Sequence, residues 1–176
     1  HQHLPGDITM LLSVDFTGDS TGAASGYATG SNLWGRAVYT TNAGMSWALA
    51  QVPDSARALV TLRFVTAETA FIAGAYNLPP RTAQWLQRRQ PPRALGVEQF
   101  LDRIGFTGTA SYRGLFLAST DAGQTWYTKG AFPDSIYYLI GMSFVTPRLG
   151  FVTADSDPQH GTARILKTTD AGESWI

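Results

Sequence analysis

The sequence contains no cysteine, which excludes a disulfide framework and any metal site built on thiolates, while leaving the redox compartment open. It also lacks an excess of charge of either sign, since 13 Lys and Arg balance 13 Asp and Glu. Nucleic-acid binding normally needs a clearly basic surface, so no nucleic-acid partner is expected. No apolar run approaches the length of a membrane span: Ile8 to Leu12 and Tyr137 to Ile140 are strand-sized, and no transmembrane segment is expected. There are only three histidines, and no phosphate loop, zinc spacing or Ser/His/Asp order can be assembled, so neither metal nor cofactor is expected. His1 and His3 carry the chemistry to chelate a late divalent metal, but a frayed terminus is the ordinary reading of such residues.

What is present is an eight-residue motif in three copies. Ser119-Thr120-Asp121-Ala122-Gly123-Gln124-Thr125-Trp126 recurs as Thr168-Thr169-Asp170-Ala171-Gly172-Glu173-Ser174-Trp175 and, with Asn for Asp, as Thr40-Thr41-Asn42-Ala43-Gly44-Met45-Ser46-Trp47. Each copy follows a β-prone run, Arg36 to Tyr39, Gly114 to Ala118 or Arg164 to Lys167, and sets Asp or Asn two residues before Gly, which is tight-hairpin chemistry. Asn42, Asp121 and Asp170 are expected to accept hydrogen bonds from loop N–H groups, and Gly44, Gly123 and Gly172 to take positive φ. Trp47, Trp126 and Trp175 are expected to anchor the returning strand in the core.

The motif has a period. Phe16 lies 31 residues before Trp47 and Phe144 lies 31 before Trp175, whereas Phe64 lies 62 before Trp126. Adding the spacer from Trp to the next Phe gives a repeat of about 48 residues, the size of a propeller blade. The fold class is therefore all-β: one domain, residues 1–176, of three four-stranded antiparallel propeller-type blades at about 8–52, 58–130 and 136–176. Within the units, first strands are read at Leu11–Phe16, Val60–Val65 and Gly141–Val145. Second strands follow at 22–27, 70–74 and 150–154, and Gly30 to Gly35 reads as a loop. The middle unit carries an insertion at about 77–109, read as helices over Arg81–Arg89 and Val97–Ile104, bounded by prolines and Gly105. Five arginines against two acids make it the one locally basic element. An inserted loop on a rigid scaffold suits either partner contact or edge cover, and Arg81, Trp85, Arg88, Arg89 and Arg93 are the partner-binding candidates.

The pattern Ser/Thr-x-Asp-x-Gly-x-Thr/Ser-Trp resembles the Asp-box, or bacterial neuraminidase repeat, of β-propellers. The lines Leu62-Arg63-Phe64-Val65, Gly150-Phe151-Val152 and Ile165-Leu166-Lys167-Thr168-Thr169-Asp170-Ala171-Gly172-Glu173-Ser174-Trp175 are similar to a narrower family, the photosystem II stability and assembly factor repeat. The last line departs from that family mainly by Ala171 for Gly and Ser174 for Thr. The resemblance implies structural turns on the side of the propeller away from any active site. It also implies a non-enzymatic assembly or accessory module of a photosynthetic membrane complex, located in the periplasm or otherwise outside the cytoplasm, with a protein partner.

The alternative is a fragment of a sialidase, another glycoside hydrolase or a carbohydrate-binding propeller, which also carry such boxes. That chemistry needs two carboxylates across a cleft, and for a sialidase an arginine cluster. Asp155 and Asp157, with His160 nearby, form the one close acid pair, in a segment whose Asp, Ser and Pro equally describe a solvated loop. A final expectation concerns closure. Rings need about four or more blades, so three predict either a polypeptide continuing beyond Ile176 or an open face buried against a partner.

Overall fold

A computed structural model describes residues 4–28, 34–77, 112–130, 132, 136–156 and 163–176. Among these residues every regular element is a strand. The first sheet holds β1 (Met10–Thr17), β2 (Thr21–Ala28), β3 (Trp34–Thr40) and β4 (Ala48–Leu49), in that spatial order. The second repeats the arrangement with β5 (Ala56–Phe64), β6 (Ala70–Asn77), β7 (Tyr112–Ser119) and β8 (Tyr127–Thr128). The third has β9 (Ile136–Phe144), β10 (Gly150–Ser156) and β11 (Arg164–Thr168), and Lys167 exchanges two backbone hydrogen bonds with Ile176 where a fourth strand stands in the other two. All neighbouring strands pair antiparallel, as short consecutive connections favour.

The sheets stack face to face as propeller-type blades. The first strand of each follower does most of the packing: β5 lies against β1, β2 and β3, and β9 against β5, β6 and β7. Strand periodicity sorts the side chains into two seams. Ala70, Ile72, Leu115 and Leu117 of the middle sheet join Ala23 and Ala37 of the first, while Phe71, Ala73, Phe116 and Ala118 join Leu139, Met142, Val152 and Leu166 of the third. Covered on both faces, β6 and β7 read in sequence as nearly unbroken apolar runs. The second seam centres on Phe71, whose ring stacks on Phe116 at 5.1 Å and Phe144 at 4.7 Å.

Three boundaries depart from the sequence reading. The strands β5 and β9 begin at Ala56 and Ile136, four and five residues earlier than expected, because register shifts at Ala56/Ala58, Leu59/Thr61 and opposite Thr153/Ala154 break the period-2 signal. The strand β3 begins at Trp34, which the sequence placed in a loop. The same irregularities explain the small residues of the second strands: a Cβ on Gly26 or Gly74 would collide with the carbonyl oxygen of Met10 or Ala58. The expected helical insertion, with Arg81, Trp85, Arg88, Arg89 and Arg93, lies outside the described residues, as do His1, His3, Asp157 and His160.

Among the described residues each middle-sheet face has another sheet packed against it, whereas the first sheet's front and the third sheet's rear do not. On the front, Met10, Leu12, Val14 and Phe16 of β1 are exposed, and on the rear Thr153, Ile165 and Lys167 are exposed.

Candidate functional site

The repeat turns occupy one end of the blades and have nearly identical wiring. In the second, the Ser119 hydroxyl donates to Asp121 Oδ1 at 2.7 Å and accepts from the Gly123 N–H at 2.9 Å, while Asp121 Oδ1 accepts from the N–H groups of Gln124 and Thr125 at 3.1 and 2.9 Å. Trp126 is buried and its indole Nε1 donates to the Gly123 carbonyl at 2.9 Å. The third turn repeats the hydroxyl and carboxylate bonds through Thr168 and Asp170, with the Ser174 hydroxyl donating to Asp170 Oδ2 at 2.5 Å, but its Trp175 indole Nε1 meets no acceptor among the described residues. In the first, Asn42 keeps the acceptor role through Oδ1 and reverses the other bond, its Nδ2 donating to Ser46 Oγ at 2.8 Å.

Burial disfavours the charged form of Asp121, but the Thr125 N–H and the Ser119 hydroxyl outweigh it and hold the carboxyl below its ordinary value. Asp170 is held far below that range by the hydroxyl and N–H of Ser174 together with Thr168. Both carboxylates are fully engaged within their loops. Such groups brace a turn.

The other end of the blades is chemically different. Here Arg57, at the start of β5, lies over the ring of Trp34, at the start of β3, with 4.6 Å from guanidinium carbon to ring centroid. At the next seam the partners are exchanged between strands: Arg113, at the start of β7, lies over Tyr137, at the start of β9, also at 4.6 Å. Arg57 further donates to the carbonyls of Asp54 and Ala56 at 2.6 and 3.0 Å. Between the second and third sheets a cavity of about 260 Å³ opens at this end, lined by Ser55, Tyr76, Arg113, Thr128, Phe132 and Ile136 among others. Arg113 is 4% exposed, the charged member of a lining that also carries the hydroxyls of Ser55, Tyr76 and Thr128.

Sequence reasoning did not single out Trp34, Arg57, Arg113 or Tyr137. Arg and aromatic residues at the starts of strands carry no local pattern, and the exchange between strands appears only when the 48-residue repeat is superposed in three dimensions. One signal was available: Arg113 is a charge inside a run that otherwise reads as buried strand. Of the acid pair, Asp155 sits in β10 opposite Tyr138. Among the described residues no group of three or more His, Asp or Glu side chains could hold a metal ion, and no helix is long and apolar enough to cross a membrane.

No family model matches the chain, and no curated protein matches it. Solved structures do. The chain is similar to YCF48 bound to D1 peptide, with 14% identity, a TM-score of 0.59 and coverage of 98% of this chain and 41% of that one. It is similar to YCF48 from Cyanidioschyzon merolae at 15% identity and a TM-score of 0.56, covering 99% and 41%. A protein of unknown function from Dyadobacter fermentans DSM 18053 aligns at 11% identity and a TM-score of 0.58, covering 93% and 48%. The chain thus spans less than half of the structures it resembles, and at these identities the likeness establishes a propeller-type fold.

Proposed function

We propose that this chain is a non-enzymatic protein-interaction module of the Asp-box propeller type, an assembly or accessory subunit of a membrane complex of the photosynthetic kind, acting outside the cytoplasm. The observation that carries the reading is the cavity between the second and third sheets. It is large enough for one or two side chains of an extended segment, walled by Tyr76 and Phe132 with Arg113 in its lining. The structural likeness to YCF48, one example of which is bound to D1 peptide, supports a peptide as occupant. Trp34 at 38% exposure, with Arg57 over its ring, extends the same end toward a partner, and the basic insertion from Arg81 to Arg93 would add charge.

The glycoside hydrolase reading finds less support. Asp15 accepts from the Phe64 N–H at 2.8 Å, Asp7 pairs with Arg36, Glu173 pairs with Lys129, and Asp121 and Asp170 brace their turns. These carboxylates serve the fold.

The test is titration of a labelled acidic, extended peptide against the chain, monitored by fluorescence anisotropy. Tyr76→Ala and Trp34→Ala should each weaken binding by about tenfold, and Arg88→Glu with Arg89→Glu should weaken it further without changing the melt. Unaltered binding in all three variants would move the interface elsewhere. Turnover of glycosides that disappears with Asp155→Asn would replace the module by an enzyme.

A further inference from the structure

The cavity between the second and third sheets coincides with a difference in the length of the segments that cross from one unit to the next. From the turn Trp to the apolar residue that covers the following turn there are five steps in the first unit, Trp47 to Val52, and six in the second, Trp126 to Phe132. The shorter crossing closes its seam tightly: Val52 packs in the Trp126 cluster, and a Cβ on Gly35 would lie 2.9 Å from the Ala56 methyl. The longer crossing carries Gly130 at φ 73°, so near the Gly172 carbonyl that a Cβ would lie 2.3 Å from its oxygen. Gly172 is the counterpart of Gly123, whose carbonyl accepts the Trp126 indole, whereas Trp175 lies flat against Phe132, with centroids 5.4 Å apart and 28° between the planes. Gly130 and Phe132 both line the cavity, so the longer crossing and the opening belong together.

The lining suits one kind of side chain. An apolar cavity of about 150 Å³ accommodates a benzene ring, so about 260 Å³ holds a six-membered ring, the methylene that carries it and a polar substituent. Tyr76, Phe116 and Phe132 offer rings against which another ring packs. Phe116 and Ile136 are fully buried, so that part of the wall is held by the core. The lining also carries the hydroxyls of Ser55, Tyr76 and Thr128, and among the described residues none of the three has a hydrogen-bond partner. A wholly apolar occupant would take water from these hydroxyls and return nothing. The one charge in the lining, Arg113, lies over the Tyr137 ring. A neutral ring that bears one hydroxyl answers both features, with aromatic contact along its body and a hydroxyl at its tip that both donates and accepts.

We propose that this cavity receives a tyrosine side chain from an extended segment of the partner protein, its ring packed against Phe132 and Ile136 and its hydroxyl paired with that of Tyr76. The assignment rests on the interaction-module reading above and names the residue by which the partner is held.

The test is nuclear magnetic resonance titration of the full chain with 4-methylphenol, the tyrosine side chain on its own, and with toluene, the phenylalanine side chain. 4-Methylphenol should bind saturably and show Overhauser contacts to Ile136 and Phe132. Toluene should bind at least about tenfold more weakly, because a site that hydrogen-bonds a hydroxyl rejects the analogue without one. Tyr76→Phe keeps the ring and removes the hydroxyl, so it should bring the two compounds to nearly equal affinity. No saturable binding, contacts that fall elsewhere, or equal affinities in the native chain would overturn the proposal. A labelled extended peptide containing tyrosine, titrated with and without 4-methylphenol, separates this anchor from the interaction module itself. Displacement of the peptide supports both. A peptide that binds and is not displaced removes the tyrosine anchor and leaves the module standing. A peptide that fails to bind while 4-methylphenol occupies the cavity overturns the module and the partner with it, and leaves a site for a small phenol.

Discussion

At the three repeat turns the residue before glycine has the wrong side chain for its backbone. Ala43, Ala122 and Ala171 hold φ at 58°, 60° and 62°, followed by glycines that are also left-handed. A Cβ in this conformation costs about 1–2 kcal/mol, and the assembly-factor repeat that the sequence resembles has glycine there. Replacing Ala171 with Gly removes the strain and returns part of the gain through a freer unfolded chain. A net stabilisation of about 0.5 kcal/mol is expected, read from the midpoint of thermal melting. The carboxylates of the same turns make stability depend on acid. The folded-state values of Asp121 and Asp170 lie below the ordinary 3.8, so the stability they contribute is complete above that pH and is lost as the pH falls through the depressed values. Asp170→Asn adopts the chemistry of the first turn, where Asn42 does not titrate. Melts from neutral to strongly acidic pH should therefore decline less steeply in the variant than in the native chain.

The turn is also a packing element, and its value depends on what the neighbouring sheet offers. Gly172→Ala adds backbone strain and drives a methyl into the Phe116 ring, whereas Gly44→Ala adds the strain alone, because among the described residues its nearest neighbours are Trp47 and Phe16 at ordinary contact distance. The expected costs are about 2–4 kcal/mol for Gly172 and about 1 kcal/mol for Gly44. Equal losses in urea unfolding would mean that the seam yields around the added methyl. The contrast also marks what was legible in advance. The turns, their spacing and the three-unit architecture follow from short local patterns such as Asp121-x-Gly123 and the alternation along β1, so they could be read from residues alone. The early starts of β5 and β9 were hidden by register shifts. The pairing of Arg57 with Trp34 and of Arg113 with Tyr137 was hidden because each joins residues far apart in sequence, through a stack that no local pattern reports. That a turn glycine serves the preceding sheet as well as its own loop was invisible for the same reason.

Across the whole molecule, position in the stack decides what an identical residue contributes. The middle sheet is sandwiched, and Trp126 sits in the first seam at 3% exposure with its indole hydrogen-bonded. Trp47 holds the same place in its own repeat but faces the open front, half-buried against Phe16. Removing Trp126 leaves a cavity between two sheets that are fixed by the rest of their seam, and Trp126→Ala should cost about 3–5 kcal/mol. Removing Trp47 exposes little that is not already in contact with water, and Trp47→Ala should cost about 1–2 kcal/mol in the dilute, monomeric chain. Denaturant unfolding of both variants separates two accounts of the repeat. If the turn Trp acts chiefly within its own loop, the two losses will differ by no more than the indole hydrogen bond that Trp126 makes to the Gly123 carbonyl. If it acts as the wedge of a seam, the Trp126 loss will be the larger, and the Trp47 loss will grow toward it whenever another sheet covers the front face.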